Sequence, residues 1–336
     1  MTAQATLTTQ DKAEHLRKMK WSEFDRLTEL IETAFAEDQA REGRDFRDEM
    51  RGVRKMLPVF RVLFAVAPRM ENYFYTLVWD VDGRLVAMVT LMRQGSDLQR
   101  WYIANVATHP DYRGRGLARA LVSAALNRIR TQGGQYALLQ VRADNDPAYR
   151  LYRTLGFLHL ETSTTLKGVA QPIGMPTLPD GYTLRPLPDT EWQTRLTIAQ
   201  QLASPETRSV CPPTAEQIRQ SWFVRQVQAL LNRFQRVKMQ GWAVVAGDQP
   251  IGLVMCRAQT GGSSPHHVNI ELAPDHLIAA PSVIAHAINY CIKQRLGATH
   301  PMLIDLNGQP EDPIDFLRDH GFTPIEVVHE LGMKVQ

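Results

Sequence analysis

Cysteine is scarce in this sequence, with three residues among 336. Cys211, Cys256 and Cys291 are odd in number and widely spaced, so they show neither a disulfide framework nor the spacing of a metal site. Because the chain is long enough to bury a sizeable hydrophobic core, it does not need disulfides or a structural metal for stability. We therefore expect buried, reduced thiols, no bound metal and a cytoplasmic location.

Long apolar runs are also missing. The longest covers residues 59–67, is interrupted by Arg61 and is much shorter than the roughly 20 residues that span a bilayer. At the start of the chain, residues 1–6 have no basic segment and no apolar core, so no signal peptide is expected. These absences argue against a membrane partner.

A strong excess of one charge is absent as well. The chain has 38 Lys and Arg against 35 Asp and Glu, a formal net charge of +3. Residues 1–170 hold 25 basic and 20 acidic side chains (+5), and the remainder holds 13 and 15 (−2). This excess is too small and too dispersed to predict a nucleic-acid partner. The 44% hydrophobic and 22% charged composition indicates a globular protein, and the length fits two domains.

The most informative stretch covers residues 101–134. Residues 101–106 are rich in β-branched and aromatic side chains, which predicts a strand. From Leu117 to Ile129 apolar residues recur at helical spacing, and the glycine pair at 133–134 ends this helix. Between the two lies a short basic loop. Such a loop directs backbone N–H groups and the positive end of the helix dipole at one spot, which makes an anion site.

The composition of the loop suits a phosphate. Gly114 and Gly116 carry no Cβ, so a ligand can approach the backbone closely. Arg113 and Arg115 add charge that matches phosphate. A P-loop is excluded because no Gly-Lys-Ser/Thr follows, and the dinucleotide fingerprint because Arg119 replaces its third glycine. The loop therefore predicts a phosphate or pyrophosphate ligand, with an ordinary basic turn before a surface helix as the alternative.

Two motifs carry a family resemblance. Arg113-Gly114-Arg115-Gly116-Leu117-Ala118 resembles the acyl-CoA-binding motif Arg/Gln-x-x-Gly-x-Gly/Ala of the GNAT N-acyltransferases. After an apolar strand at 136–141, residues 145–157 are similar to the second GNAT signature, Asn-x-x-Ala-x-x-Leu-Tyr-x-x-x-Gly-Phe, at every fixed position. The alternative is an ordinary short helix that is capped by Asn145 or Asp146. It explains why capping residues occur in this segment, but not why both motifs are present. The resemblance covers about residues 70–166.

The resemblance implies an α/β fold with a mixed, mostly antiparallel sheet flanked by helices, and acetyl-CoA (CoA) as co-substrate. In the family, the strand before the loop separates from the next strand, and the pantetheine lies in the gap. The loop amides hold the pyrophosphate. The residues assigned in this way are Val106, Ala107, Thr108, Arg113, Gly114, Arg115, Gly116, Leu117 and Ala118, with Asn145 against the pantetheine.

Tyr152 stands where the family places the general acid that protonates the leaving thiolate. A phenol with a pKa near 10 can do this for a thiol of similar basicity. A packed aromatic is the alternative for this residue. The general base stays open: Glu71 and His109 are candidates, each more often structural, and a water chain or an amine that arrives neutral would serve as well.

The resemblance predicts an N-acetyltransferase in which a primary amine attacks the thioester directly. The amine itself stays open among peptide N-termini, lysine, polyamines, aminoglycosides and amino-acid-like amines. A non-catalytic acyl-CoA-binding regulatory protein is the alternative function. Thiol release from acetyl-CoA would separate the two.

Before the motifs, helical spacing starts at Asp11 and gives one apolar stripe over residues 21–35. A second helix is predicted for residues 45–57. GNAT domains open with a strand, for which residues 5–9 are the only candidate. Two strands, at 73–81 and 85–92, are predicted to form a hairpin around Asp82 and Gly83.

The second half of the chain resembles a degenerate copy of the first. Three prolines and two glycines in residues 168–179 predict a linker, so the domains expected are 1–167, a linker at 168–180, and 181–336. Residues 182–186 predict an opening strand, residues 215–236 a long helix, and residues 242–257 a second hairpin. The same order of strands and helices occurs twice, which indicates a duplication.

The copy lacks the chemistry of the first half. Leu277, Ile278, Ala279 and Ala280 stand where the arginines and glycines of the first loop stood, and Pro281 follows. Leu317 replaces Tyr152. We therefore expect one CoA per chain, bound by the first half. The pair His266-His267 is rejected as a metal site because adjacent strand residues face opposite sides.

Overall fold

The computed structural model describes residues 15–36, 74–94, 97–219, 235–262, 264–295, 300–308 and 310–335, together with residues 225, 228, 229, 232 and 233. The chain divides into two compact units. Unit 1 takes its residues from 1–140, 151–157 and 333–336, and unit 2 from 141–150 and 158–332. Both are α/β, with mostly antiparallel strands flanked by helices, which confirms the predicted fold class. The domain boundaries derived from composition stay predictions.

Among its described residues, unit 1 has five strands in the order β1-β2-β3-β4-β5. Neighbours are antiparallel except β4 and β5, which are parallel. The strands are β1 (Leu16–Lys18), β2 (Phe74–Val81), β3 (Arg84–Gln94), β4 (Asp97–Thr108) and β5 (Tyr136–Arg142). The helices are α1 (Phe24–Ala34), α2 (Leu117–Thr131) and the second half of α3 (Asp146–Thr154), with 3-10 turns at Trp21–Glu23 and Pro110–Tyr112.

The core of unit 1 follows the helical pattern read from the sequence. Leu27, Leu30 and Ile31 lie on one face of α1 because they are three and four residues apart, and all three are buried. They pack against β2, β3 and β4 through a cluster that includes Val78 and Met88. Each fully buried side chain of this size contributes about 1.5–3 kcal/mol. α2 covers β2, β3 and β4 as well.

The opening of the chain differs from the prediction. Helical spacing was expected from Asp11 onward, but Leu16–Lys18 forms β1 and pairs antiparallel with β2. Arg17 explains this short strand, because its guanidinium bonds Glu23 Oε1 at 2.7 Å and also Asp80. Such contacts depend on residues distant in sequence, so a local periodicity cannot show them. The predicted strand at 5–9 and helix at 45–57 lie outside the described residues.

In the part of unit 2 that the structure describes, seven strands lie in the order β12-β6-β11-β10-β9-β8-β7. The strands are β6 (Leu158–Ala170), β7 (Tyr182–Pro186), β8 (Val237–Ala246), β9 (Gln249–Gln259), β10 (His266–Leu272), β11 (His300–Asn307) and β12 (Thr323–Lys334). The helices are α4 (Trp192–Leu202), α5 (Pro205–Val210), α6 (Ala215–Ile218), α7 (Ala280–Lys293) and α8 (Glu311–Asp319), with a 3-10 turn at Pro274–Ala279.

From β7 onward the elements repeat the order of unit 1, which makes this a second GNAT-like region, as the internal comparison predicted. The closing strand β6 lies between β11 and β12 and is antiparallel to both. One expectation fails: the helix that starts at Ala215 ends at Ile218, because Arg219 is extended (φ −75°, ψ 106°). Much of the remaining predicted helix lies outside the described residues.

The core of unit 2 lies under α7, which has eight buried residues and covers β9, β10 and β6. Cys256 and Cys291 are part of this core. All three cysteines are buried and free. Among the described helices, none has the length and apolar character needed to cross a membrane. The described side chains also contain no group of three or more His, Cys, Asp or Glu placed to hold a metal ion.

Candidate active site

The strand β4 loses its parallel partner before it ends. Its pairing with β5 joins Arg100, Trp101 and Tyr102 to residues 136–138, whereas β4 continues to Thr108. Within the described residues, the edge of Val106, Ala107 and Thr108 that faces β5 therefore has no strand partner. Such an edge presents free N–H and C=O groups to an extended ligand. This is the gap that the family resemblance predicts.

A β-bulge lies at the point where β4 and β5 separate. Asn105 has φ +50°, and the register with β3 shifts between the pairs Met88–Ala107 and Thr90–Ala104. Asn tolerates this left-handed conformation better than most residues. A bulge bends its strand and re-aims the residues that follow, here residues 106–108. The signal for this bulge in the sequence is a single Asn within a strand of β-branched and aromatic residues.

The loop after β4 has the geometry of a phosphate cradle. Gly114 and Gly116 have φ +76° and +79°, which strains any residue with a Cβ. A Cβ added at either position meets no atom within 4 Å, so the space above the loop is open. Gly116 is the N-cap of α2, and its carbonyl accepts a hydrogen bond from Ala120 N–H at 3.0 Å. The first N–H groups of α2 have no intrahelical acceptor, and those of Leu117 and Ala118 are therefore available to an anion.

The arginine side chains lie on the rim of this cradle. Arg113 Nη2–H donates to Ala34 O at the end of α1 (2.9 Å), and its Nε–H makes a long contact to Thr108 O (3.4 Å). Arg115 Nη2–H donates to Asp111 O at 3.0 Å. All three contacts are to backbone carbonyls, which carry no formal charge, so these hydrogen bonds leave the guanidinium charges in place. The cradle is therefore electropositive.

Tyr152 is on α3 and is 5% exposed. Its ring packs edge-on against Phe157, with centroids 5.9 Å apart. Burial raises the pKa of the phenol to about 12. The side chain therefore stays protonated at neutral pH, as a proton donor requires. The same shift makes it a weaker acid than the free phenol assumed from the sequence.

Asn145 caps the helix that carries Tyr152. Its Oδ1 accepts a hydrogen bond from Ala148 N–H at 3.2 Å, and its carbonyl accepts one from Tyr149 N–H at 3.0 Å. Of the two capping candidates, the geometry favours Asn145 over Asp146. Asn145 belongs to unit 2, and its contact with pantetheine stays a prediction.

His109 is held by its neighbours. It is 9% exposed, and Arg84 Nη2–H donates to its Nε2 at 2.9 Å. The backbone N–H of Asp111 donates to His109 Nδ1 at 3.3 Å, so a hydrogen-bond donor lies at each ring nitrogen. Nδ1 lies 3.6 Å from the carboxylate of Asp111. Because a donor from a neighbouring residue lies at each ring nitrogen, we expect His109 to be a structural residue rather than the general base. Glu71 lies outside the described residues.

The corresponding region of unit 2 has a closed sheet. β10 pairs with β11 from His266 to Ile270, and its register with β9 has no shift through Leu272. No residue of 266–281 has a positive φ. Ala279 and Ala280 are buried, Ile278 is 70% exposed, and the replacement for the tyrosine acid, Leu317, lies in the core. Bulge, gap and glycine turn are therefore all missing from this segment.

The two adjacent histidines of β10 have separate partners. His266 Nδ1 accepts a hydrogen bond from Gln259 N–H at 3.0 Å, whereas His267 Nε2 lies 2.8 Å from Asp305 Oδ2. Burial, followed by the charges of His300 and Arg295, lowers the pKa of His266 to about 4. The two side chains do not converge on a common ligand.

Residues 27–157 match the acetyltransferase (GNAT) family. A mycothiol acetyltransferase from Corynebacterium aurimucosum is 46% identical over 89 residues, which cover 24% of this chain and 29% of that protein. An acetyltransferase from Sodalis glossinidius is 35% identical over 92 residues, 27% of this chain and 62% of that protein. The chain thus matches less than two thirds of either relative.

Solved structures extend the likeness to nearly the whole chain. A GCN5-related N-acetyltransferase from Sphaerobacter thermophilus has a TM-score of 0.57 at 14% identity, covering 96% of this chain and 95% of its own. A putative acetyltransferase from Pyrococcus horikoshii has a TM-score of 0.51 at 12% identity, covering 95% and 88%. These identities show the fold alone.

Proposed function

Since residues 27–157 form an acetyltransferase (GNAT) domain, we propose that the protein transfers the acetyl group of acetyl-CoA to a primary amine. The observation that carries this proposal is the early end of the β4–β5 pairing next to a glycine cradle. The gap takes an extended chain and the cradle takes a pyrophosphate. Acetyl-CoA combines both shapes in one molecule.

In this proposal the backbone does most of the binding. The free edge of Val106, Ala107 and Thr108 bonds the pantetheine amides and the thioester carbonyl. The N–H groups of the loop, from Gly114 to Ala118, bond the pyrophosphate, and Arg113 and Arg115 add long-range attraction. Charge-assisted hydrogen bonds contribute about 1.5–3 kcal/mol each. Four of them account for micromolar affinity after the costs of association.

The chemical step is a direct displacement. The amine nitrogen attacks the thioester carbon, the C–N bond forms, and negative charge develops on the carbonyl oxygen, where backbone N–H groups of β4 stabilise it. The C–S bond then breaks, and Tyr152 donates its proton to the leaving thiolate. The amine arrives neutral, and after the attack its nitrogen loses one proton to water, because His109 is engaged by Arg84 and Asp111. Water returns a proton to the Tyr152 phenolate.

The second GNAT-like region is proposed to bind no CoA. Its paired β10–β11 edge leaves no place for pantetheine, and its loop lacks glycine and arginine. Its role is to support the fold or to shape the acceptor pocket. The free, buried cysteines support the predicted cytoplasmic location.

The test is thiol release from acetyl-CoA in the presence of a panel of amines. Similarity to a mycothiol acetyltransferase places small-molecule amines first in the panel, followed by polyamines and peptides. We expect one class to release CoA thiol above the rate of hydrolysis. CoA binding without release for any amine would favour the alternative, a non-catalytic acyl-CoA-binding regulatory protein.

A further inference from the structure

Unit 1 contains a cavity of about 310 Å³ between α1, the turn that joins β2 to β3, and the end of β4. Small-molecule sites have volumes of roughly 300–1,000 Å³, so this cavity suits a small ligand. We call it the α1 cavity, and the lining residues that matter here are Arg26, Glu29, Leu30, Arg84, Leu85 and His109.

The α1 cavity has an apolar floor and a charged rim. On α1, Glu29 and Leu30 follow Arg26 by three and four residues, so all three lie on one side of the helix. Arg84 and Leu85 come from the start of β3. Leu30 is 2% and Leu85 is 4% exposed, so they form the floor. The three charged residues are exposed at the rim.

The two arginine side chains are held by other residues of the cavity. Arg84 Nη2–H donates to His109 Nε2 at 2.9 Å, and Arg26 Nη1–H donates to Gly83 O at 2.9 Å. Neither an imidazole lone pair nor a backbone carbonyl carries a formal charge, so these hydrogen bonds leave the guanidinium charges in place. A guanidinium has several N–H donors in one plane, and the remaining ones match a carboxylate.

The rim combines both signs of charge. Arg26 and Arg84 supply two positive charges, and Glu29 supplies one negative charge. Glu23 also lies near Arg26, but Arg17 bonds it at 2.7 Å and is the main cause of its low pKa of about 2. A simple anion would meet the like charge of Glu29. A molecule with a carboxylate, an ammonium group and a small apolar body complements the rim and the floor together.

The α1 cavity adjoins the proposed CoA site without sharing its residues. His109 directly follows Thr108, the last residue of the β4 edge that is assigned to pantetheine. Among the described residues that line the cavity, none is one of those assigned to CoA. Two ligands can therefore be tested for separate binding.

We propose that the α1 cavity binds a free α-amino acid with an aliphatic side chain, in addition to the acetyl-CoA of the proposed function. Arg26 and Arg84 bond the carboxylate, and Glu29 attracts the ammonium group. The aliphatic side chain covers Leu30 and Leu85. This binding requires no acetyl transfer, so the inference goes beyond the proposed function and does not depend on it.

The test is calorimetric titration of the full chain, without acetyl-CoA, with L-leucine and L-valine. Leucinamide, which lacks the carboxylate, and isocaproate, which lacks the ammonium group, are titrated beside them, as is inorganic phosphate. We expect saturable binding of one amino acid per chain, and about tenfold weaker binding of each analogue and of phosphate. If neither amino acid saturates, or if isocaproate or phosphate binds as tightly, the proposal is wrong.

Single substitutions assign each charge to one end of the ligand. Arg84→Gln and Arg26→Gln should each reduce the preference for leucine over leucinamide, and Glu29→Gln should remove the preference for leucine over isocaproate. Glu32→Gln is the matched control, because Glu32 is on the same helix but is not among the residues that line the cavity. Circular dichroism checks that each variant is folded. Unchanged preferences in folded Arg84→Gln and Glu29→Gln would contradict the proposal.

Gly116→Val separates this site from the CoA loop. Gly116 is the N-cap of α2 and does not line the α1 cavity, so this variant should bind leucine with the affinity of the parent. Loss of leucine binding in Gly116→Val would place the amino acid at the CoA loop and overturn the proposal. These titrations contain no acetyl-CoA, so they decide the inference even if no amine is acetylated.

Discussion

At the scale of single residues, the proposed site depends on two glycines, which have no side chain, and on one tyrosine that keeps its proton. Gly114 and Gly116 allow a left-handed backbone and leave open space above the loop. Tyr152 supplies a buried phenol whose pKa of about 12 keeps its proton in place. In the proposed mechanism backbone groups bind the cofactor and one side chain donates a proton, so the two functions can be separated by substitution.

Gly116→Val tests the cradle. Both Gly116 and Gly133, which follows the other end of α2, have positive φ and no atom within 4 Å of an added Cβ. The strain of about 1–2 kcal/mol should therefore be alike in Gly116→Val and Gly133→Val. Only Gly116→Val places a side chain over the pyrophosphate. We expect at least tenfold weaker CoA binding by calorimetry for that variant alone, and equal affinity in the two variants would remove the loop from the CoA site.

Tyr152→Phe tests the acid. The ring and its contact with Phe157 remain, and only the proton donor is lost. We expect turnover to fall by about 10²–10⁴-fold, while the CoA dissociation constant stays within about twofold. Tyr136→Phe is the control, because Tyr136 is also in unit 1 and uses its ring face against Arg100. Turnover at the parent rate in Tyr152→Phe would make Tyr152 a packing residue.

At the scale of elements, the contrast between β4 and β10 is the main result. β4 has a bulge at Asn105 and loses β5 after Tyr102, whereas β10 is paired regularly on both sides. The amino-acid pattern indicated a strand in both places. The motifs point to the same loop and strand end, but the separation of the strands is a property of pairing. It could not be read from either strand alone.

The buried end of β10 gives a pH prediction. His266 is 1% exposed and its pKa is lowered to about 4 from an ordinary 6.5. Its folded form binds fewer protons than its unfolded form, so stability is complete above pH 6.5 and is lost progressively as the pH falls toward 4. The free energy of unfolding, measured with urea between pH 4 and 7, should rise with pH.

The control for this pH dependence of the free energy of unfolding is a substitution of the neighbouring residue, His267. His266→Gln should flatten the dependence between pH 4 and 6.5, because glutamine does not titrate and still accepts a hydrogen bond. His267→Gln, which alters the contact with Asp305 instead, should keep the contribution of His266. If the free energy of unfolding of His266→Gln depended on pH as steeply as that of the parent, groups other than His266 would cause the dependence.

At the scale of the whole molecule, two GNAT-like regions with one intact site predict one CoA per chain. The second loop lacks charge and glycine, Pro281 removes one N–H at the start of its helix, and the acid is replaced by a leucine buried in the core. Native mass spectrometry of the full chain with excess CoA should show one bound molecule, and Gly116→Val should abolish it. A second CoA bound near residues 275–281 would overturn this assignment.

The sequence by itself determined the features that depend on neighbours along the chain. The strand, glycine loop and helix at residues 101–131, the hairpin at Gly83 and the repeated order of elements all follow from local spacing and turn chemistry. Tertiary structure alone decided the rest: the place of β1, the partners of His109, the separation of β4 from β5, and the contacts of the Thr162 hydroxyl with His159 and His329. The physical reason is that these features are contacts between distant residues, such as Thr162 and His329, which are 167 positions apart. Local periodicity carries no information about which distant strand supplies a partner, or where that partner ends.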